Sequence, residues 1–173
     1  MKRVFPDTNV LMHFNALECA KWRAIAGADE IEVVIAASVS KELNTLKHKS
    51  DTRHRAQTVT KQLITLFDTS SDPKLPGDVP IVAEVEGLAG FDFASRGLDP
   101  EDFDDRFIAS VLRSREARSD NEHLIVSNDF NMRLKTGDDH PKARRIDRAW
   151  RDVLTESEVL RRRDGRRRAW VAE

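Results

Sequence analysis

Four acidic residues stand at positions in this sequence where parallel sheets usually bind ligands. Asp7 ends a short β-prone run near the N-terminus, and Asp129 follows another such run late in the chain. Glu42 is expected in the first turn of the helix after the second strand, and Asp105 in the second turn of a later helix. In a parallel sheet, the carboxyl ends of the strands and the first turns of the following helices share one edge. The sequence therefore predicts that these four carboxylates, which are remote along the chain, gather at that edge.

Carboxylates gathered in one pocket repel one another, because each negative charge disfavours the ionisation of its neighbours. A divalent cation removes that conflict, and Mg²⁺ and Mn²⁺ prefer hard oxygen ligands, a few from protein and the rest from water and phosphate. Such an ion can orient and acidify a water molecule, and it can stabilise the leaving oxygen of an in-line phosphoryl displacement. The histidines are scattered and there is one cysteine, so no His/Cys set with ligand spacing offers a rival metal site. These acids therefore predict metal-dependent phosphoryl chemistry.

Alternating strand-like and helix-like segments indicate the frame that would hold these acids. Short apolar runs predict four strands, which are Lys2–Phe5, Glu32–Ala36, Ile81–Val85 and Leu124–Ser127. Helical spacing predicts helices that begin at Thr8 or Asn9, at Ser38 or Ser40, at Thr52 and at Asp99-Pro100. Residues 68–80 indicate a surface loop, and the strand that follows it is a candidate edge strand. The pattern predicts an α/β fold, a three-layer α/β/α sandwich around a mainly parallel sheet.

Size and composition bound the class of protein. The 173 residues fit one globular domain with a sizeable core. The lone Cys19 excludes an internal disulfide and a cysteine-based zinc site, and a small buried side chain is its expected role. No run approaches the roughly 18 apolar residues of a membrane span, and the N-terminus turns acidic by Asp7, so we expect neither a membrane anchor nor a signal peptide. A reducing, cytoplasmic setting fits these features.

Charge is unevenly distributed along the chain. Residues 1–140 carry 18 Lys and Arg against 24 Asp and Glu, whereas residues 141–173 carry 11 against 6. We therefore expect an acidic body over residues 1–140 and a basic extension over residues 141–173, helical in two pieces. The arginine-rich extension is able to bind phosphates non-specifically, although such a run is more often a solvated helix face.

Four short motifs together resemble the PIN domain family of metal-dependent ribonucleases. They are Phe5-Pro6-Asp7-Thr8-Asn9-Val10-Leu11, Val39-Ser40-Lys41-Glu42-Leu43, Asp105-Arg106-Phe107-Ile108-Ala109 and Val126-Ser127-Asn128-Asp129-Phe130-Asn131-Met132-Arg133. Each motif alone is weakly specific, but their order and spacing over residues 3 to about 135 make the combination specific. The third and fourth motifs look most like those of PIN domains fused to PhoH-type ATPases, although this sequence contains no ATPase portion. The resemblance implies a PIN-like nuclease domain over residues 1–140, carboxylates that bind Mg²⁺ or Mn²⁺, and RNA hydrolysis that leaves a 5′-phosphate and a 3′-hydroxyl.

The resemblance also assigns roles by position. Catalysis and metal binding are assigned to the acids Asp7, Glu42, Asp105 and Asp129. Supporting roles are assigned to Asn9 and Ser127, with Asp102 and Asp104 as candidate auxiliary ligands. The basic candidates for contact with RNA are Lys47, Arg53, Arg55 and Arg133. Every acid also has a plainer explanation, because acids in the first turn of a helix favour its dipole and an Asp after a strand often forms an Asx-turn.

The predicted function is a cytoplasmic Mg²⁺- or Mn²⁺-dependent endoribonuclease. A toxin of a toxin–antitoxin pair, an RNA-processing enzyme and a phage-defence effector all use such a domain. Besides RNA, the partners that the resemblance allows are an antitoxin, further domains of a longer parent chain and a second copy of the chain. One alternative is a catalytically inactive PIN-like module that binds RNA or protein. A phosphohydrolase with an aspartyl nucleophile ranks lower, because it needs an acid two residues after Asp7, where Asn9 stands.

Overall fold

The chain folds around one six-stranded sheet. The computed structural model describes residues 1–14, 16–18, 21–85, 87–129, 132, 135 and 142–144. The strands are Lys2–Pro6 (β1), Ile31–Ile35 (β2), Lys74–Leu75 (β3), Val79–Ala83 (β4), Glu122–Val126 (β5) and Lys142–Arg144 (β6). They lie in the order β3-β4-β2-β1-β5-β6, and all neighbours are parallel except β3 and β4. The predicted mainly parallel sheet is confirmed.

Helices connect these strands and cover the sheet. Those in the described part of the chain are Thr8–His13 (α1), Trp22–Ala26 (α2), Ala37–Leu46 (α3), Arg53–Thr69 (α4) and Phe103–Ala117 (α5). Short 3₁₀ turns occur at Ala16–Glu18 and Ala94–Arg96. Parallel neighbours need crossover connections, and helices that cross over pack on the faces of the sheet. The result is the predicted three-layer α/β/α sandwich.

The centre of the sheet is apolar because both of its faces are covered. Val4 of β1 pairs with Val33 of β2 on one side and with Leu124 of β5 on the other. All three side chains are buried, as expected for strands between two helical layers. This packing places the end of β1 at the middle of the carboxyl edge of the sheet.

The cap of α1 is Asp7, where Thr8 or Asn9 was expected to fill that role. One oxygen of the Asp7 carboxylate accepts the backbone N–H of Val10 at 2.6 Å. An aspartate at this position satisfies an N–H that the helix itself leaves without a partner. Asp7 is therefore the single residue between the end of β1 and the start of α1.

α3 begins earlier than the predicted start at Ser38 or Ser40. Its first residue is Ala37, and the cap is Ala36, which makes no side-chain hydrogen bond. Ser38 lies inside the helix and its hydroxyl contacts that of Ser110 in α5 at 3.2 Å, so it does not act as a cap. Glu42 consequently stands in the second turn of α3, although the sequence placed it in the first.

α5 begins later than predicted, because Asp102 caps it in place of Asp99. The carboxylate of Asp102 accepts the backbone N–H groups of Asp104 at 2.8 Å and Asp105 at 3.1 Å. Asp99 instead accepts the N–H of Glu101 at 2.8 Å, a local turn that competes with helix formation. Asp105 therefore stands in the first turn of α5, although the sequence placed it in the second.

The third predicted strand is displaced, and its loop is partly ordered into the sheet. Residues 81–85 were expected to form that strand, but β4 comprises Val79–Ala83 and lies inside the sheet between β3 and β2. Residues 68–80, expected to be a surface loop, contain β3 and a turn in which Gly77 and Asp78 have φ of 81° and 56°. Glycine and aspartate are residues that adopt such turns readily.

Part of the basic extension also joins the sheet. Lys142–Arg144 pairs in parallel with β5, so the expectation of a helix from Lys142 is wrong for these three residues. Residues 145–173 and Cys19 lie outside the described residues, and the boundary at residue 140 stays a prediction. No helix in the described part of the chain is both long and apolar enough to cross a membrane.

Candidate active site

The carboxyl edge of the sheet collects acids from four parts of the chain. Asp7 directly follows β1, and Asp129 follows β5. Glu42 stands in the second turn of α3, while Asp104 and Asp105 stand in the first turn of α5. Because β1 pairs with both β2 and β5, the segments that leave these strands lie side by side. The fold thus brings the predicted acids to the same edge.

Ser127 connects Asp7 and Asp129. The fully buried Ser127 hydroxyl donates to Oδ2 of Asp7 and accepts the backbone N–H of Asp129 at 2.9 Å. Asp7 itself is 6% exposed, and its other oxygen accepts the N–H of Val10. These contacts are polar but uncharged, so they fix the Asp7 carboxylate without neutralising it.

The electrostatic environment of Asp7 is unfavourable to its charge. Burial raises the pKa of Asp7 to about 6, and the hydrogen bonds from Ser127 and Val10 only partly offset that effect. The negative charges of Glu42 and Asp104 raise this pKa further. Glu42 and Asp104 are therefore close enough to Asp7 for their charges to repel it.

Glu42 is half-buried and has a fixed orientation. Its Oε2 accepts the hydroxyl of Thr8, the first residue of α1. Thr8 is itself buried, which places this contact beside Asp7 at the start of the same helix. The sequence offered Thr8 only as a helix cap, and its contact with Glu42 depends on the approach of α3 to α1.

Asp104 is the acid of α5 whose charge faces the other carboxylates. Burial raises its pKa, and the negative charges of Asp102, Asp129 and Glu42 raise it further, although the nearby Lys135 lowers it. No hydrogen bond or ion pair joins the Asp104 carboxylate to a described residue. Asp104 therefore has like charges around it and no direct partner among the described residues.

Asp105 differs from Asp104 in that both of its carboxylate oxygens are engaged. Oδ1 is 2.7 Å from the ammonium of Lys135, and Oδ2 accepts the backbone N–H of Asp99 at 2.8 Å. The sequence assigned metal binding to Asp105 and only an auxiliary role to Asp104. The geometry favours the reverse order, because a carboxylate already neutralised by Lys135 is less suited to receive a further cation.

An open cleft of about 480 Å³ lies beside these acids. Its lining residues are Asn9, His13, Phe14, Asn128 and Asp129. The side-chain oxygen of Asn128 is buried and has no hydrogen-bond partner among the described residues, and an unpaired buried acceptor is costly. The exposed Asn9 lies on the same cleft, and its supporting role stays a prediction. The cleft therefore offers an unsatisfied acceptor next to an acid.

A basic side chain flanks this cleft. Arg55, near the start of α4, contacts Nδ1 of His13 through Nη1 at 3.0 Å. Burial and the positive charge of Arg55 lower the pKa of His13, which favours a neutral imidazole. From the sequence, His13 was expected to be a structural or surface residue, although its position four residues after Asn9 on one helix face was a usable signal.

The other candidate contacts for RNA are less well defined. Lys47 caps the end of α3 and Arg53 is the first residue of α4, so the two residues flank the connection between these helices. Arg133 lies outside the described residues, and so does the arginine-rich segment of the extension. Among the four predicted RNA contacts, Arg55 is the one for which the structure gives a contact with a cleft residue.

The donor set at this edge is suited to a hard divalent cation. No three acidic, histidine or cysteine side chains among the described residues are close enough to form a ready-made metal site. The carboxylates of Asp7, Glu42, Asp104 and Asp129 nevertheless influence one another, and the unpaired Asn128 oxygen is a further hard donor. Oxygen donors of this kind match Mg²⁺ and Mn²⁺. The residues present therefore fit such an ion.

Comparison with known proteins agrees with the fold. The PIN domain family profile matches residues 4–146, and no curated protein matches the chain. A domain of a functionally unknown protein from Methanocaldococcus jannaschii DSM 2661 has a similar fold, with a TM-score of 0.53 and 11% identity over 85% of this chain and 92% of that chain. A likeness at that identity shows the fold alone. Because the profile covers most of the sequence, the chain belongs to the PIN domain family, whose members are generally nucleases that use divalent metal ions.

Proposed function

We propose that this chain is a Mg²⁺- or Mn²⁺-dependent endoribonuclease that hydrolyses RNA phosphodiester bonds. The observation that carries the proposal is the carboxylate of Asp104, which lies near the charges of Asp129 and Glu42 without a direct partner among the described residues. Together with the buried Asp7, this arrangement is costly unless a cation offsets the repulsion. Metal-dependent hydrolysis of a phosphodiester uses such a set of carboxylates.

The proposed metal ligands share the carboxyl edge, and they are Asp7, Glu42, Asp104 and Asp129. The bound ion supplies a more acidic water molecule and positive charge near the reacting phosphate. The Ser127 hydroxyl orients the carboxylate of Asp7 and holds the backbone of Asp129, and the Thr8 hydroxyl orients the carboxylate of Glu42. These hydroxyls hold the acids in place without adding charge, so the full negative charge of the set is kept for the ion.

RNA is the proposed substrate, and the cleft beside Asp129 supports that choice. Arg55 is exposed and stands against His13 at the cleft wall, where a guanidinium is able to contact a phosphate. The amides of Asn9 and Asn128 offer donors and acceptors of the kind that hydrogen-bond base edges. Lys47, Arg53 and Arg133 remain candidates for further phosphate contacts.

Finer features belong to the same proposal. The likeness to PIN domains fused to PhoH-type ATPases depends on the third and fourth motifs alone. A cytoplasmic location, a role as toxin, RNA-processing enzyme or phage-defence effector, and an antitoxin, further parent-chain domains or a second copy as partner are likewise proposed from the family resemblance.

A catalytically inactive PIN-like module that binds RNA or protein is the second candidate. It is favoured by the absence of a ready-made three-ligand cluster among the described residues, and by the neutralisation of Asp105 by Lys135. In that case the carboxylates would repel one another and no bound metal ion would offset that repulsion. RNA binding without metal-dependent turnover is the result that distinguishes this candidate.

Cleavage of a fluorescently labelled single-stranded RNA in Mn²⁺ tests the proposal. We expect turnover by the wild type, none in excess chelator, and a loss of at least about 100-fold in Asp104→Asn, because even residues that only support a metal ligand contribute 10- to 100-fold. Asp120→Asn, an exposed acid in the turn after α5, is the matched control and should retain full activity. Cleavage that persists in chelator, or that is insensitive to Asp104→Asn, contradicts the proposal.

A further inference from the structure

Lys135 lies between two acids at the start of α5. Its ammonium is 2.7 Å from Oδ1 of Asp105 and 3.3 Å from Oδ2 of Asp102. The Asp105 side chain is 8% exposed, so this ion pair is largely withdrawn from water. A single positive charge therefore serves two carboxylates beside the proposed metal ligands.

The remaining oxygens of these two acids are also satisfied. Oδ2 of Asp105 accepts the backbone N–H of Asp99, and Oδ1 of Asp102 accepts the N–H groups that begin α5. Each carboxylate thus combines one contact to the ammonium with hydrogen bonds from the backbone. The ammonium offsets one of the two negative charges, and Asp102, whose side chain is partly exposed, keeps contact with water.

We infer that Lys135 is a positioning residue that serves as an internal counter-cation and limits the acidic edge to one divalent ion. A two-metal site holds its ions about 3.5–4 Å apart on shared carboxylates. A second ion on Asp105 or Asp102 would lie within a few ångströms of the Lys135 ammonium and be repelled by it. The first ion meets less of this repulsion at Asp7 and Asp104, because Lys135 acts on Asp104 only at longer range and neither acid has a direct ion pair with a described residue. This inference rests on the proposed metal-dependent function.

The inference is tested by counting bound Mn²⁺ rather than by activity. Electron paramagnetic resonance of free Mn²⁺, in titrations of the folded full-length chain, gives the number of ions bound per chain. We expect one ion for the wild type, one for Lys135→Arg, which keeps the charge, and two for Lys135→Gln, which frees Asp102 and Asp105. Lys74→Gln is the matched control, since Lys74 pairs with the exposed Asp72 at 3.6 Å far along the chain from these acids, and it should bind one ion.

The number of bound ions tests the role of Lys135 separately from the proposed function. Two ions on the wild type, or one ion on a folded Lys135→Gln, overturns the role of Lys135 but leaves a metal site in place. No ion on the wild type overturns the proposed function, and the inference fails with it. Circular dichroism checks that Lys135→Gln is folded; if it is not, Lys135→Met, which also removes the charge but keeps a long side chain, is counted in its place, and one ion on it overturns the role of Lys135.

Discussion

Asp7→Asn is expected to stabilise the protein at neutral pH when no divalent metal is present. The pKa of the Asp7 carboxyl is raised from its ordinary value of 3.8 to about 6, chiefly by burial. Between these two values, the folded state binds a proton that the unfolded state does not bind. Stability contributed by this group is therefore lost as the pH rises through that window. The difference amounts to about 3 kcal/mol at pH 7, a large fraction of the stability of a typical domain.

Asparagine is a suitable replacement because it keeps the local hydrogen bonds. Its side-chain oxygen is able to accept the N–H of Val10, and its amide is able to donate to the hydroxyl of Ser127. The helix cap is thus preserved while the buried charge is removed. We expect Asp7→Asn to gain up to about 3 kcal/mol over the wild type at pH 7.5, and the gain to shrink by about 2 kcal/mol at pH 4.5.

Urea unfolding in chelator at the two pH values measures this difference directly. Asp120→Asn is the control for loss of an exposed acid, and its effect should be small at both pH values. Saturating Mn²⁺ should raise the stability of the wild type more than that of Asp7→Asn, because the proposed set of ligands is complete only in the wild type. The reasoning is refuted if Asp7→Asn is less stable than the wild type by the same amount at pH 7.5 and pH 4.5, since Asp7 would then be a stabilising cap and nothing more.

Three further changes test other parts of the structure. Asp104→Asn should weaken Mn²⁺ binding at least about tenfold, whereas Asp105→Asn should change it less than threefold and lower the melting temperature. Isothermal titration measures the affinity and thermal unfolding the melting temperature, and equal losses of affinity in the two variants would contradict the distinction. Arg3→Met should lower the free energy of unfolding by about 3–5 kcal/mol, because it leaves two partly buried glutamates without their cationic partner. Urea unfolding with Asp120→Asn as control measures this, and a loss under 1 kcal/mol would contradict the expectation. Arg55→Ala should weaken RNA binding in chelator and reduce its salt dependence by about one ion, as fluorescence anisotropy would show; an unchanged salt slope would exclude a phosphate contact by Arg55.

The central fold was predictable because its strands have a strong sequence signal. β1, β2 and β5 are buried between two helical layers, and a run of apolar residues is the direct consequence of that position. β6 had no such signal, since Lys142-Ala-Arg144 joins the sheet through backbone hydrogen bonds to β5. β3 is two residues long and depends on a turn at Gly77 and Asp78. Short strands that pair at an edge are therefore the part of the sheet that composition does not reveal.

The convergence of the acids followed from topology, but their individual roles did not. The order of Asp104 and Asp105 depends on where α5 begins, and that is decided by competition between two caps, Asp99 and Asp102. The neutralisation of Asp105 depends on Lys135, which is 30 residues away in the sequence. Contacts of this kind arise only when the elements pack, so local patterns do not encode them.

Two buried charged residues, Arg3 in β1 and Asp7 directly after it, show why the acidic edge differs from an ordinary ion-pair network. Arg3 is fully buried, and its guanidinium is paired with Glu32 at 2.8 Å and with Glu84. Asp7 is almost as deeply buried, but its partners among the described residues are the neutral Ser127 and the Val10 backbone. The fold compensates the first charge, and among the described residues it gives the second no charged partner, although a neutral asparagine would cap α1 equally well. The charge of the Asp7 carboxylate costs about 3 kcal/mol and adds nothing to the cap. That cost has a physical explanation if a cation from solution is the partner of Asp7.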